Sequence, residues 1–404
     1  MSVSQIGLIL LIACVVAVLS RRVHLPYSVG LVMAGTGLSW FTASATLALT
    51  PELIYKVLLP PLIFEAALQL NWRDFRRDLP LTAMLAFPGT VIAAAIVAAG
   101  MHVILRWGWL GAGLFGALIA ATDPVSVIAA FKDMRMAGRL SLLVESESLL
   151  NDGAAAVMFA VLLAAGAGGS LQTMAVIGKL FWMVGGGVAV GAAVAGALLV
   201  LAGRTDDHLV EITLTTVAAY GSFLLADRLG MSGVLASLAA GLVVGSVGWR
   251  GVISADGRGT IVLLWEFIAF LSNSIIFVLI GAREAHHATQ VFTVAAAVAI
   301  ALVLLGRVAV VYPLCGLFAG SRWRVRLWWQ HVLVWGGLRG ALALALALAV
   351  PSSVPERGGI IAAAFAVVAF SVFVQGITMP WLIRRTGGNV ADQCVAPLGP
   401  TIAK

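Results

Sequence analysis

Leu143-Val144-Glu145-Ser146-Glu147-Ser148-Leu149-Leu150-Asn151-Asp152 decides how this chain folds. It opens an apolar run, residues 142–166, and sets three acids into it. As a helix rising about 1.5 Å per residue, the run is long enough to cross a hydrocarbon core of about 30 Å. At about 100° per residue, Glu145, Ser148 and Asp152 fall along one face, and Glu147 and Asn151 share an adjacent one. An acid at the bilayer centre costs about 2.5–3.5 kcal/mol on insertion scales, so acids there mark ion paths or buried pairs. A hydroxyl and a carboxylate one turn apart suit a small hard cation, which prefers oxygen ligands.

The remainder of the chain agrees with a lipid solvent. Of its 404 residues, 61% are hydrophobic and only 11% charged, against about 25% charged in soluble domains. The mean hydropathy is +1.05. Apolar runs of about 20 residues suit helices, whereas barrel strands are about half that length and alternate. The net charge of +7 comes from short basic clusters between apolar runs, the membrane-protein pattern, and does not imply a nucleic-acid partner. Cys14, Cys315 and Cys394 are scattered and suggest neither a disulfide framework nor a metal site. No Lys or Arg precedes the run Val3 to Leu19, so it reads as a retained span and not as a signal peptide.

Thirteen apolar stretches can be marked: 3–19, 27–47, 52–70, 80–103, 109–131, 142–166, 174–202, 209–228, 231–248, 260–282, 290–319, 328–350 and 357–383. The expected fold is therefore an all-α polytopic membrane protein of about 13 transmembrane helices. One membrane domain spans 1–385, and a short cytoplasmic tail follows at 386–404, too small for a regulatory domain. Connections after odd-numbered spans, with the tail, hold 17 Lys and Arg residues, and those after even-numbered spans, with the neighbouring helix ends, hold 6. The positive-inside rule then places the N-terminus outside and the C-terminus in the cytoplasm. An odd count also allows spans 1–6 and 8–13 to form an inverted repeat about a linking helix.

Depth can be reckoned from the span ends. Asp152 lies about 15 Å from the cytoplasmic end of span 6, Asp123 about 12 Å from that of span 5, and Arg339 about 16 Å from that of span 12. All three share one layer near the midplane. Span 5 carries Ala121-Thr122-Asp123-Pro124, whose proline breaks or kinks the helix. Span 12 carries Trp335-Gly336-Gly337-Leu338-Arg339-Gly340, with three glycines in five residues. Broken helices in transporters expose carbonyls and helix ends that coordinate ions. Arg307 reads as a structural partner, and Glu147 with Arg339 as a structural pair supporting the site. Glu145, near the cytoplasmic mouth, reads equally well either way. Asp123 and Asp152 are left without an obvious base, and excess buried negative charge attracts a proton or a metal cation.

At these motifs the chain resembles the monovalent cation:proton antiporters of the NhaP/NHE type. The matching pieces are His24-Leu25-Pro26-Tyr27, Pro60-Pro61-Leu62-Ile63-Phe64-Glu65-Ala66, Ala121-Thr122-Asp123-Pro124-Val125, Glu147-Ser148-Leu149-Leu150-Asn151-Asp152, Trp265-Glu266-Phe267 leading to Asn273, and Trp335-Gly336-Gly337-Leu338-Arg339-Gly340. The resemblance implies a homodimer in the cell membrane, with a core of spans 4–6 and 11–13 and a dimerisation and gate unit of spans 1–3 and 7–10. It implies that spans 5 and 12 are discontinuous and cross at the ion site. Carried over by motif, Asp152 binds Na⁺ or a proton, with Thr122 and Ser148 as oxygen ligands. Asp123 and Asn151 order the crossing within the ion-binding set, Glu65 lines the cytoplasmic approach, and Glu147 pairs with Arg339. Asn151 before Asp152 implies electroneutral 1:1 exchange, since relatives with two adjacent Asp are electrogenic. Ser146 stands where the family commonly has Gly, and the short tail argues against tail-based regulation.

The expected function is therefore secondary antiport of a monovalent cation, Na⁺ before Li⁺ or K⁺, against H⁺. No cofactor is called for beyond the transported ions. One rival is a cation channel using the same carboxylates, and another is a transport-inactive sensor of the same fold. A third is an intramembrane protease, suggested only by Gly230-Met231-Ser232-Gly233, a short match in a region where Gly and Ser are common.

Overall fold

The computed structural model describes residues 3–23, 26–41, 50, 52–134, 136, 138–166, 173–203, 207–291 and 294–386. His24, Leu25, the end of the second stretch and the tail from 387 lie outside the described residues. Over those residues each of the thirteen apolar stretches coincides with helix, whole or interrupted. Among the described residues, seven helices are long and apolar enough to cross a membrane, and four more apolar helices are shorter. Among the described residues there is no strand. That is what a chain in lipid requires, because helices satisfy their own backbone.

Local signals explain where the helices begin. Asn71 caps Trp72–Ala86 by accepting from the Arg73 amide at 3.0 Å. Helix therefore runs from Trp72, two turns ahead of the start expected at 80; Arg73, Asp74, Arg76 and Arg77 in its early turns are exposed, and the buried Asp78 is paired. Arg139, at the start of the helix Arg139–Gly166, reaches the buried Asp78 with contacts of 2.7–3.0 Å and donates to the Arg324 carbonyl at 3.0 Å. One guanidinium thus ties spans 4 and 6 to the connection before span 12. Asp207 caps His208–Thr216, and Ser232 caps Gly233–Ser246 by accepting from the Leu235 amide. The serine of the protease-like motif therefore has an ordinary capping role.

Among the described residues, three helices contain a π turn, at Leu53–Leu58, Val217–Gly221 and Ser371–Gly376. Two spans are broken outright. Span 5 divides into Trp109–Ala120 and Val125–Asp133, and span 12 into Leu327–Trp335 and Ala341–Ala349.

Spans 2, 3, 7, 9 and 10 pack on one another, as do spans 4, 5, 6 and 11 with the halves of span 12 and span 13. The first group is drawn together by close backbone approach. A Cβ on Gly35 would overlap the Val278 carbonyl, and one on Gly281 the Val32 carbonyl. Thr36 crosses the same contact to donate to the Gly281 carbonyl at 3.1 Å. Small residues that let backbones touch are the usual glue of helices in lipid.

Candidate functional site

Both breaks fall at the same place in space. The Asp123 amide donates to the Leu338 carbonyl at 2.8 Å, joining the unwound part of span 5 to that of span 12. A helix ending inside the membrane leaves carbonyls and amides without helical partners, and hydrocarbon offers them none. Side chains fill the gap. Arg339 Nη1 donates to the carbonyls of Ala120 and Ala121, both at 2.8 Å. Ser148 Oγ donates to the Thr122 carbonyl at 2.5 Å. Asn151 Oδ1 accepts from the Thr122 amide at 3.1 Å, and its Nδ2 donates to Thr122 Oγ1 at 2.6 Å. Asp123 Oδ1 accepts from the Val125 amide at 3.0 Å, starting the next half-helix as an Asx turn.

Glu147 forms its ion pair with Arg307, not with Arg339. Arg307 Nη1 and Nη2 reach its two carboxylate oxygens at 2.8 and 3.2 Å. The expected Glu147–Arg339 pair is thus corrected, and the reason is the break itself. Two orphan carbonyls at the end of Trp109–Ala120 claim Arg339, while Arg307, already expected to be structural, enters from span 11. Asn151 Nδ2 adds a bond to Glu147 at 3.1 Å, joining the pair to the crossing.

Asp152, Asp123, Thr122, Ser148 and Glu65 all line one cavity of about 1180 Å³. Glu145 and Ser141 line it too, as the one-face reading of span 6 requires. Asn151, expected among the ion-binding residues, does not line it and stands behind the crossing as a strut; Glu147 and Arg339 are likewise behind the wall. The remaining polar lining comes from Gln69, Glu266 and Asn273. Among the described residues, five acids line the cavity (Glu65, Asp123, Glu145, Asp152, Glu266), and no Lys, Arg or His does. Asp152 Oδ1 is buried and has no hydrogen-bond partner among the described residues. Such a wall draws cations and repels anions.

Sequence reasoning missed the part played by Glu266. Its motif was noted, but the side chain had no role; at the cavity mouth, Gln69 Nε2 donates to Glu65 at 2.5 Å and to Glu266 at 3.2 Å. Trp265 beside it is fully buried and donates to Thr215 Oγ1 at 3.0 Å, so the motif supplies one anchor and one lining acid.

Gly340 shows how tight the crossing is: a Cβ there would overlap the Asp123 carboxylate. Gly340→Ala is expected to lower thermal stability in detergent by about 1–3 kcal/mol, the usual cost of overpacking. Gly316→Ala, where a Cβ meets open space, is the control and should be neutral. Equal melting temperatures for the two variants would contradict the packing described.

The family profile described as "Sodium/hydrogen exchanger, transmembrane" matches residues 8–385. The chain is 37% identical over 398 residues to the low-affinity Na⁺/H⁺ antiporter NhaS1 of Synechocystis, covering 95% of this chain and 74% of that protein. It is 38% identical over 373 residues to the Na⁺/H⁺ antiporter ApNhaP of Aphanothece halophytica, covering 90% and 70%. The solved structure of the sodium proton antiporter MjNhaP1 from Methanocaldococcus jannaschii has the same fold, with a TM-score of 0.75 at 21% identity over 96% of this chain and 99% of that one. By the profile match and by these relatives, the chain belongs to the sodium/hydrogen exchanger family.

Proposed function

We propose that this protein is a multi-pass membrane antiporter exchanging Na⁺ for H⁺, with Asp152 holding either ion in turn. One observation carries the reading. Asp152 lines an acid-walled cavity with one oxygen unpartnered, while Arg307 and Arg339 donate to other acceptors. Burial opposes a bare carboxylate, and either a proton or a cation relieves that penalty. The two then compete for one group, and alternating access converts competition into exchange.

Thr122 and Ser148 line the same cavity beside Asp152, which supports them as oxygen ligands for Na⁺. Each hydroxyl oxygen keeps acceptor capacity beyond the bond it already makes. The cavity runs from Asp152 to the exposed Gln69 and Glu266, close to the end of span 3 and the start of span 10. Arg73, Arg76 and Arg77 follow span 3 on that side. This supports a cytoplasmic opening, a cytoplasmic C-terminus and Glu65 as part of the approach. The packing groups described above, with span 1 packed on spans 2 and 10 and span 8 on spans 7 and 9, support a core of spans 4–6 and 11–13 moving against spans 1–3 and 7–10. A count of thirteen spans, an inverted repeat, a homodimer in the cell membrane and 1:1 stoichiometry complete the reading; Asn151 ahead of Asp152 supports the last.

The test is reconstitution in liposomes with an imposed pH gradient, adding Na⁺, Li⁺ or K⁺ in turn at clamped voltages. Na⁺ is expected to dissipate the gradient at a rate independent of voltage. A voltage-dependent rate would overturn the 1:1 stoichiometry. Cation current without proton movement would replace the antiporter with a channel, and no cation-dependent flux would leave a transport-inactive sensor.

A further inference from the structure

The two broken spans are closed by the same kind of device. At the break in span 5, a guanidinium takes carbonyls at the end of the first half-helix, and Ser148 and Asn151 of the following span hold Thr122. At the break in span 12, Arg307 Nη2 donates to the Leu333 carbonyl at 2.6 Å. The Trp335 carbonyl, at the last residue of Leu327–Trp335, accepts from Gln375 Nε2 at 3.0 Å. Gln375 belongs to the following span, within the π turn Ser371–Gly376, and is 3% exposed. A π turn adds a residue to the helix and re-aims its side chains, and such turns gather at functional positions. Two residues beyond it, Thr378 Oγ1 accepts from the Trp335 indole at 2.8 Å. Both polar ends of Trp335 are therefore held by span 13.

We propose that Gln375 is a positioning residue for the ion site, holding the broken end of span 12 as Ser148 and Asn151 hold that of span 5. The reach is short. From Trp335 the chain passes in five residues to Gly340, whose backbone packs on the Asp123 carboxylate. In between lie the Leu338 carbonyl, bonded to the Asp123 amide, and Arg339, bonded across the other break. With no donor at position 375, the Trp335 carbonyl is orphaned in a water-poor interior, and the end of the half-helix turns to find another. That movement carries Leu338 and Arg339 with it and so reshapes the wall around Asp123 and Asp152.

This inference rests on the antiport reading, and the experiment separates the two. Na⁺/H⁺ exchange is measured in liposomes for the wild type, Gln375→Met and Thr378→Val. Methionine keeps the length and loses the donor; valine frees the indole and leaves Gln375 in place. Gln375→Met is expected to raise half-saturating Na⁺ about tenfold and to displace the pH profile, with the maximal rate held within about twofold. Thr378→Val should move both in the same direction by less. Na⁺-dependent thermal stabilisation in detergent, which needs no turnover, should weaken in parallel and serves if Gln375→Met reconstitutes poorly. Half-saturation, pH profile and Na⁺-dependent stabilisation all unchanged would overturn the proposal, even with a lower melting temperature, because Gln375 would then only support the fold. Absence of exchange in the wild type would sink the antiport reading itself.

Discussion

Asp152→Asn is expected to abolish Na⁺-dependent proton movement, to the level of protein-free liposomes, and to leave the folded protein intact. Asparagine keeps the size of the side chain but carries no charge and takes up no proton, so neither transported ion has its anion. Among the acids lining the cavity, Asp123 is committed to the Val125 amide, while Asp152 keeps one buried oxygen unpartnered. A buried charge without a partner is a burden on the fold. Thermal stability in detergent is therefore expected to stay the same or rise while transport is lost. Flux assays on reconstituted protein, matched for yield and elution profile, check both halves. Retained Na⁺-dependent proton movement in this variant would show that another group carries the ions.

Breaking the Glu147–Arg307 pair should have the largest effect on stability. Both partners are buried, so removing one leaves an uncompensated charge, and each of Glu147→Gln and Arg307→Met is expected to cost about 3–5 kcal/mol. The double variant should recover much of that loss. Its recovery should stop short by about 1–3 kcal/mol, because Arg307 also serves the Leu333 carbonyl. A double-mutant cycle read from unfolding in detergent measures the coupling. Coupling of Glu147 to Arg307 well above its coupling to Arg339 supports the arrangement. The reverse order would restore the pair expected from the motifs and remove the explanation for the bonds from Arg339 to Ala120 and Ala121.

Much of this was legible in the sequence, because lipid leaves few alternatives. Runs of about twenty apolar residues have to be helices, and Pro124 with the glycines around Arg339 marked where two of them break. Periodicity put Glu145, Ser148 and Asp152 on one face, and all three line the cavity. The partner of Glu147 was not legible. Arg307 stands 12 residues from the end expected for span 11, about 18 Å deep, beside an Arg339 at about 16 Å. Depth cannot choose between two guanidinium groups in one layer. The choice depends on which carbonyls the breaks leave orphaned, a three-dimensional fact. Gln375 was hidden for a similar reason: a π turn changes which side of the helix its residue faces, and nothing in the local pattern announces that turn.

In the antiport proposed here, one carboxylate takes a cation or a proton and never both. Na⁺ affinity measured by calorimetry on detergent-solubilised protein, across a series of pH values and buffers, tests it directly. Competition at one group predicts one Na⁺ bound per chain with a proton released as it binds. It also predicts apparent affinity that weakens by about tenfold per pH unit on the acid side, and no binding in Asp152→Asn. Na⁺ binding of constant affinity across that range, with no proton released, would contradict it.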